Sequence, residues 1–341
     1  MAAKKKLLFI MNPISGTVRK AGIPKIIDDT IDKDFIEFNI QRTDYPGHAY
    51  ELATQAKESG YDAVIAVGGD GTVNEVAKAI VHSDTALGII PCGSGNGLAR
   101  HLMIPLDVAK AVKVINAYTI HDLDYGVING IPFFCTCGMG FDAFVSMKFA
   151  ESGRRGPVTY IENILREGLK YKPETYEIKD ENGVSLCRAF LISCANASQY
   201  GNNAYIAPQA SMSDGLLDVI IMEPFDMLEA PQISIDMFNK TLDKNSKIKT
   251  FRTKHIQIHR EKPGFIHYDG EPVMTDSDVD ISVKDKGVKI IINPFADKTR
   301  RMPNAMQNEF SVFFNDIVNA IADKKLMLSL NNVKGKLTNL K

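Results

Sequence analysis

Three glycines and an aspartate, Gly68, Gly69, Asp70 and Gly71, lie between the apolar run 62–67 and Val73, Val76, Ala77, Ile80 and Val81, whose spacing predicts one face of a helix. A strand-to-helix turn of this composition suits an anion. Glycine lets the backbone approach a bulky ligand or take a positive φ, and the unpaired N–H groups of a first helical turn attract negative charge. A nucleotide phosphate is the natural guest. The same residues also make an ordinary tight turn, and a short glycine-rich match is weak alone. Two further small-residue turns strengthen the reading. Asn12-Pro13-Ile14-Ser15-Gly16 follows the apolar stretch 7–11, and Pro91-Cys92-Gly93-Ser94-Gly95-Asn96-Gly97 follows 86–90.

The elements that must position these turns alternate. Strands are expected at 7–11, 35–42, 62–67 and 86–90, with helices carrying Ala49, Leu52, Ala53 and Ala56, then Val73 to Val81, then Val108, Ala111, Val112 and Ile115. Alternation of this kind implies parallel βαβ units, in which ligands bind at the carboxyl ends of the strands. All three turns lie at such ends. Neither GxGxxG nor GxxxxGK[ST] is present, which disfavours a dinucleotide site of that kind and a Walker ATPase.

Beyond residue 122 the pattern changes to hairpins. Stretches 124–128 and 131–137 flank Asn129-Gly130, a strong hairpin signal, and 177–180 and 185–194 flank Glu181-Asn182-Gly183. Further strands are expected at 217–222, 253–259, 265–268, 279–283 and 288–292, which together predict an antiparallel sandwich. A helix is expected at 158–169. Phe310, Phe313, Phe314, Ile317 and Ile321 form an amphipathic stripe, read first as packing on the body and second as a membrane or dimer contact; residues 331–341 read as a polar tail. The expected fold class is α/β plus β: an α/β domain at 1–122 plus about 294–341, and a β-sandwich domain at 123–293, the chain end returning to the first domain.

Composition bounds the function. Apolar residues make up 45% and charged residues 24% of 341, as in a soluble globular chain, and Lys+Arg at 40 against Asp+Glu at 41 gives no global field for nucleic acid. The five cysteines form neither a CxxC pair nor an even framework, which points to a reducing compartment. After Lys4-Lys5-Lys6 the apolar segment is too short for a signal sequence, and no stretch reaches the length of a membrane span, so a cytoplasmic protein is expected.

With GGDGTVNEV, NPISG and PCGSGNGLAR on successive strand ends, and with CGMGFD at 137–142, DGLLD at 214–218 and YDGEP at 268–272, the chain resembles the diacylglycerol kinase catalytic-domain superfamily, which includes sphingosine and ceramide kinases. The resemblance implies transfer of the ATP γ-phosphate to a lipid hydroxyl in a cleft between two domains. It implies that Asn12, Ser15 and Thr43 line the nucleotide site. Gly68, Gly69, Asp70, Gly71 and Thr72 would hold phosphates and order Mg²⁺-bound water, with Asn74 and Glu75 supporting the turn. Gly93, Ser94 and Asn96 would add nucleotide contacts. Asp269 matches the general base of bacterial members, Asp70 is the competing base, and Glu271 would bind nucleotide or metal. Phosphoryl transfer needs carboxylates in these roles, to orient the acceptor hydroxyl, take its proton and hold Mg²⁺. Asp214, with backbone oxygens of Ser211 and Leu216, matches a structural Mg²⁺ site, and Arg154 and Arg155 fall where the family carries basic residues.

The acceptor implied is diacylglycerol, narrowly ahead of a sphingoid base or ceramide. The GSGNGLA wording leans toward the sphingosine type, whereas the aspartate that grips an amino-alcohol falls near Phe144, with Asp142 two residues away. The expected partners are ATP and a lipid at the inner membrane face, contacted peripherally, with a homodimer as a further expectation. An NAD-kinase-like soluble enzyme and a dead lipid-binding module are the readings from other classes.

Overall fold

The computed structural model describes residues 3–13, 20–152, 171–226 and 228–296. Ser15, Arg154, Arg155, the helix expected at 158–169, the stripe at 310–321, the tail and the return of the chain end lie outside the described residues.

Strands β1 (Lys5–Met11), β2 (Ile36–Arg42), β3 (Ala63–Gly68) and β4 (Ala86–Pro91) form a parallel sheet in the order β2-β1-β3-β4. Every residue of β3 and β4 is buried, as expected for strands covered on both faces. Helices α1 (Ile23–Thr30), α2 (His48–Glu58), α3 (Asp70–Ile80), α4 (Gly97–His101) and α5 (Val108–Ala117) accompany it, α1 packing on α5 and α2 on α3.

The chain then enters β5 (Ile120–Ile128), β6 (Ile131–Phe133) and β7 (Thr136–Gly140), with Asn129 and Gly130 at φ 47° and 81° in the hairpin turn. Helix α6 (Phe141–Ser152) follows, then β8 (Glu174–Asp180), β9 (Gly183–Ala189), β10 (Leu191–Ala195), β11 (Leu217–Met222) and α7 (Ala230–Asn239). Strands β12 (Ile248–Thr253), β13 (His255–Arg260), β14 (Gly264–Tyr268), β15 (Glu271–Thr275) and β16 (Asp278–Ile291) complete the order. A six-stranded antiparallel sheet, β12-β11-β10-β7-β14-β15, shares a core of Met139, Tyr176, Ile192, Val219, Ile258 and Ile281 with β8, β13 and β16 of the larger sheet. This is the α/β-plus-sandwich architecture expected from the sequence.

The parallel sheet does not stop at the sandwich. Strand β16 pairs antiparallel with β13 near its start and parallel with β4 at its end, Ile290 opposite Leu87, so one ten-stranded sheet runs through both units. Stretches 279–283 and 288–292, expected as two strands, are one strand whose pairing with β5 shifts register between Lys284 and Val288. Conversely, 131–137, 185–194 and 253–259 each divide, the first into β6 and β7 on different sheets. Phe190 turns the chain from β9 into β10, donating its N–H to Met222 O at 2.7 Å. Thr253 ends β12 and His255 opens β13 on the other sheet, the Thr253 hydroxyl bonding both the N–H and the carbonyl of His255. Continuous apolar or β-branched runs carry no sign of such a corner. Helices α1, α6 and α7 lie where the sequence pattern predicts none; the apolar residues of 141–147 fall on no single helical face.

Candidate active site

The Gly68–Thr72 turn is glycine-rich because two strand-end loops touch there. A Cβ on Gly93 would lie 2.5 Å from Gly69 Cα and 2.9 Å from Asn96 Oδ1, and a Cβ on Gly69 would lie 3.1 Å from Gly93 Cα. Asn12, at the end of β1, donates from Nδ2 to Thr72 Oγ1 at 3.3 Å. Thr43 donates its N–H to Met11 O at 3.0 Å and is buried beside them. Three of the expected turns thus meet at one sheet edge.

Asp70 is the first residue of α3, and its carboxylate points into the glycine loop. Oδ2 accepts the N–H of Asn96 at 2.8 Å and Oδ1 accepts that of Gly97 at 2.7 Å. Burial pushes its carboxyl above the usual range; the two N–H groups oppose that shift and the Asp269 charge adds to it. Asn96 itself turns inward at φ 53°. Its Oδ1 accepts the Gly93 N–H at 2.9 Å and its Nδ2 donates to Gly93 O at 2.8 Å, so the side chain closes its own loop. Ser94 is exposed at the tip of that loop.

The second carboxylate comes from the sandwich. Asp269 sits in the β14–β15 turn at φ 49°. Its Oδ1 accepts the N–H groups of Cys135 at 2.7 Å and Thr136 at 3.1 Å, and its Oδ2 accepts Phe134 N–H at 2.8 Å and Asn74 Nδ2 at 2.7 Å. A carboxylate has about four lone-pair sites, so this acceptor is saturated. The Asn74 bond ties α3 directly to the sandwich. One α-helical turn further on, Lys78 Nζ lies 4.1 Å from the centre of the Tyr268 ring. Burial lowers its ammonium pKa, and the carboxylates of Asp269, Glu271 and Glu75 oppose the shift. Glu271 is exposed, its Oε1 3.8 Å from where a Cβ on Gly71 would lie.

Lys78 and the Phe134–Thr136 amides were not singled out from the sequence. Lys78 falls at i+4 from Asn74 and shares its helix face, a signal present in the sequence, whereas backbone amides carry none.

Other expected residues lie elsewhere. Glu75 points away from the glycine loop, accepting the N–H groups of Gly47 at 3.0 Å and Ala49 at 3.1 Å, and so caps α2. Glu75→Ala is expected to lower stability by about 1–2 kcal/mol through loss of that cap, read as a lower urea midpoint. Asp214 Oδ1 accepts Leu216 N–H at 3.2 Å, and Arg252 Nη1 lies 3.8 Å from Oδ2 and bonds Asp218 with Nε at 3.2 Å. The Ser211 hydroxyl is paired with that of Ser213 at 3.2 Å. The Arg252 guanidinium therefore stands beside this turn without a hydrogen bond to Asp214, and Asp214 is the one carboxylate that the trio Ser211, Asp214 and Leu216 offers a cation. Among the described residues no three carboxylate, His or Cys side chains cluster to hold a metal ion. Asp142 faces inward, toward Tyr200 and His267, and Phe144 stacks on Phe141.

His101, at the end of α4, accepts Ser198 N–H at Nδ1 (3.1 Å), and burial lowers its pKa from 6.5 to about 4. The same nitrogen lies 3.0 Å from Ser198 Oγ, and the cost of protonation is that of burying the imidazolium charge. A depressed histidine pKa means the unfolded chain binds the proton more readily, so this stabilisation is complete above pH 6.5 and is lost as pH falls toward 4. Urea midpoints are expected to drop over that window by an amount corresponding to about 3 kcal/mol, and the slope should flatten in His101→Asn.

Residues 6–128 match the diacylglycerol kinase catalytic domain, and residues 135–292 match the YegS C-terminal NAD kinase beta sandwich-like domain. With the fold described above, these matches define the class: a two-domain kinase. A Klebsiella pneumoniae (strain 342) protein named "Probable lipid kinase YegS-like" is 32% identical over 200 residues, 57% of this chain and 67% of that protein. A Chromohalobacter salexigens protein of the same name is 28% identical over 232 residues, 66% of this chain and 75% of its own length. A crystal structure of a diacylglycerol kinase from Bacillus anthracis str. Sterne shares the fold, with TM-score 0.67 over 86% of this chain and 98% of that one at 22% identity. The chain belongs to the YegS-like lipid kinases of the diacylglycerol kinase catalytic-domain family.

Proposed function

We propose that this kinase transfers the γ-phosphoryl group of ATP to the free hydroxyl of diacylglycerol, giving phosphatidic acid. The observation that carries the reading is the Asn74–Asp269 bond, which brings a sandwich carboxylate to the helix that begins at Asp70. ATP phosphates fit the glycine edge at Gly68–Thr72 and Gly93, with Asn12 and Thr43 beside it. Asp70 has two N–H donors where Asp269 has four, and its carboxyl is raised by burial, so Asp70 is the better proton acceptor for the lipid hydroxyl. Asp269, locked by its donors, supplies fixed negative charge that orients the acceptor.

Mg²⁺ arriving with ATP keeps most of its waters and needs only one or two carboxylates, and when bound it neutralises phosphate charge. Glu271 suits this, being exposed across from Gly71 with no hydrogen bond to its carboxylate among the described residues. Support for a neutral acceptor comes from Phe144. Where a carboxylate would grip an amine, this ring packs with Phe141 and Tyr171. Phe190 and Phe225 extend the aromatic group, which offers an apolar wall for acyl chains reached from a membrane surface. No helix among the described residues is long and apolar enough to cross a membrane.

Purified protein incubated with labelled ATP, Mg²⁺ and micelles of diacylglycerol, sphingosine, ceramide or monoacylglycerol, beside soluble NAD, tests the reading. Label is expected in phosphatidic acid. Label confined to sphingosine or ceramide phosphate would move the assignment to the sphingoid class. Label only in NADP would replace the lipid reading with the NAD-kinase one, to whose sandwich the family description likens this domain.

A further inference from the structure

Behind the proposed centre lies a buried polar group that no step of phosphoryl transfer uses. Asp142 is the second residue of α6, Tyr200 lies in the loop after β10, and His267 is on β14, two residues before Asp269. Tyr200 Oη donates to Asp142 Oδ2 at 2.8 Å and reaches Ser193 Oγ at 3.4 Å. His267 Nε2 lies 2.9 Å from the same Asp142 oxygen, off its own N–H direction, and its Nδ1 accepts Gly270 N–H at 3.4 Å. His267 is 1% exposed and Asp142 9%. Gly138 makes room for the pair: a Cβ there would lie 2.5 Å from Asp142 Oδ2 and 3.0 Å from His267 Nε2. Well-packed apolar residues in the same volume would stabilise the fold as well or better, so stability alone does not account for the group.

Its connections do. Tyr200 belongs to a loop that grips the glycine loop of the first domain. Asn202 N–H donates to Gly95 O at 3.1 Å, and Arg100 links Gly95 O at 2.9 Å to Asn203 Oδ1 at 3.2 Å. Gly201, at φ 123°, sits where a Cβ would meet the Gly95 backbone at 2.9 Å. The same glycine loop supplies both N–H groups to Asp70. On the other side, His267 holds the amide that follows Asp269. A continuous polar path therefore joins the two carboxylates through the sandwich, besides the short bridge made by Asn74.

We propose that Tyr200, Asp142 and His267 form a positioning device that sets the Gly93–Gly97 loop against the Asp269 turn. None of the three touches substrate; they act through Asp70 and Asp269, and the inference rests on the reading of those two as the centre. A close-packed buried polar cluster transmits a displacement at one loop to the other, because the Tyr200–Asp142 bond, the 2.9 Å approach of His267 to Asp142 and the tight fit over Gly138 leave little room for one member to shift alone.

Three variants test this: Tyr200→Phe, which removes one hydroxyl; His267→Leu, which removes both ring nitrogens; and His267→Gln, which restores an amide near Nε2. With diacylglycerol micelles, Tyr200→Phe and His267→Leu are expected to lose about tenfold in kcat while KM for ATP stays within about twofold, and His267→Gln to recover most of the loss. Hydrogen exchange gives a readout independent of turnover. In Tyr200→Phe the amides of Asn96, Gly97 and Gly270 are expected to exchange faster together, by about tenfold. Lower thermal midpoints with kcat within about twofold of the parent, or faster exchange on the Gly97 side alone, would overturn the inference. An inactive parent whose three amides still respond together would instead sink the kinase reading and leave the coupling standing.

Discussion

Asp70→Asn is expected to lower kcat by about a thousandfold, the scale of a lost general base, with KM for ATP changed only a few-fold. The amide keeps one acceptor for the N–H groups of Asn96 and Gly97 but turns its NH₂ toward the other, so the loop loses one hydrogen bond while the site loses its base. The pH profile separates these two effects. Asp70 must be ionised to accept a proton, and its carboxyl is raised by burial, so parent kcat should fall on the acid side at a pH above the ordinary carboxylate range. In Asp70→Asn that acid limb disappears from the residual rate. An unchanged limb in the variant would assign the titration, and the proton, to another group. Asp269→Asn is a poorer test than the sequence suggests. Each Asp269 oxygen accepts two N–H groups, so an amide nitrogen there faces two donors, and loss of activity would report broken packing as much as lost chemistry.

Gly93→Ala should raise KM for ATP by about a hundredfold, the cost of shifting a binding loop by an ångström or so. The new Cβ would sit 2.5 Å from Gly69 Cα, and no rotamer change relieves a contact with backbone. The glycine loop and the Asp70 turn must separate, and Asn96 Oδ1, 2.9 Å from the Cβ, gives up its bond to the Gly93 N–H. Gly22→Ala is the matched control. Its Cβ meets nothing within 4 Å and its φ is −89°, so KM and thermal midpoint should stay at parent values. Parent-like ATP affinity in Gly93→Ala would remove this edge from the nucleotide site.

Much of this site could be read from local signals. The strand-ends that carry Asn12, Gly69 and Gly93 followed from apolar runs bounded by small residues, because buried parallel strands leave that pattern. The contacts that Glu75 and Asn96 make could not be read locally. Both are polar residues in the right turns, but one caps α2 and the other closes its own loop, which depends on where each χ1 points after the chain has packed. The course of the larger sheet was equally hidden. Residues 279–283 and 288–292 look like separate strands, and only long-range pairing with β4, β5 and β13 makes them one.

By itself the sequence determined the two-unit architecture, the alternating strands and helices of the first, and the glycine turns that let backbones meet, since each depends on residues near one another in the chain. Tertiary structure alone decided which carboxylate is held by what. Asp269 and Asn74 are 195 residues apart and bond at 2.7 Å, and the donors at Phe134, Cys135 and Thr136 are backbone groups that every residue but proline possesses. Composition cannot say which amides will converge on a charge. That is set when the two sheets pack and bring the β14–β15 turn against α3.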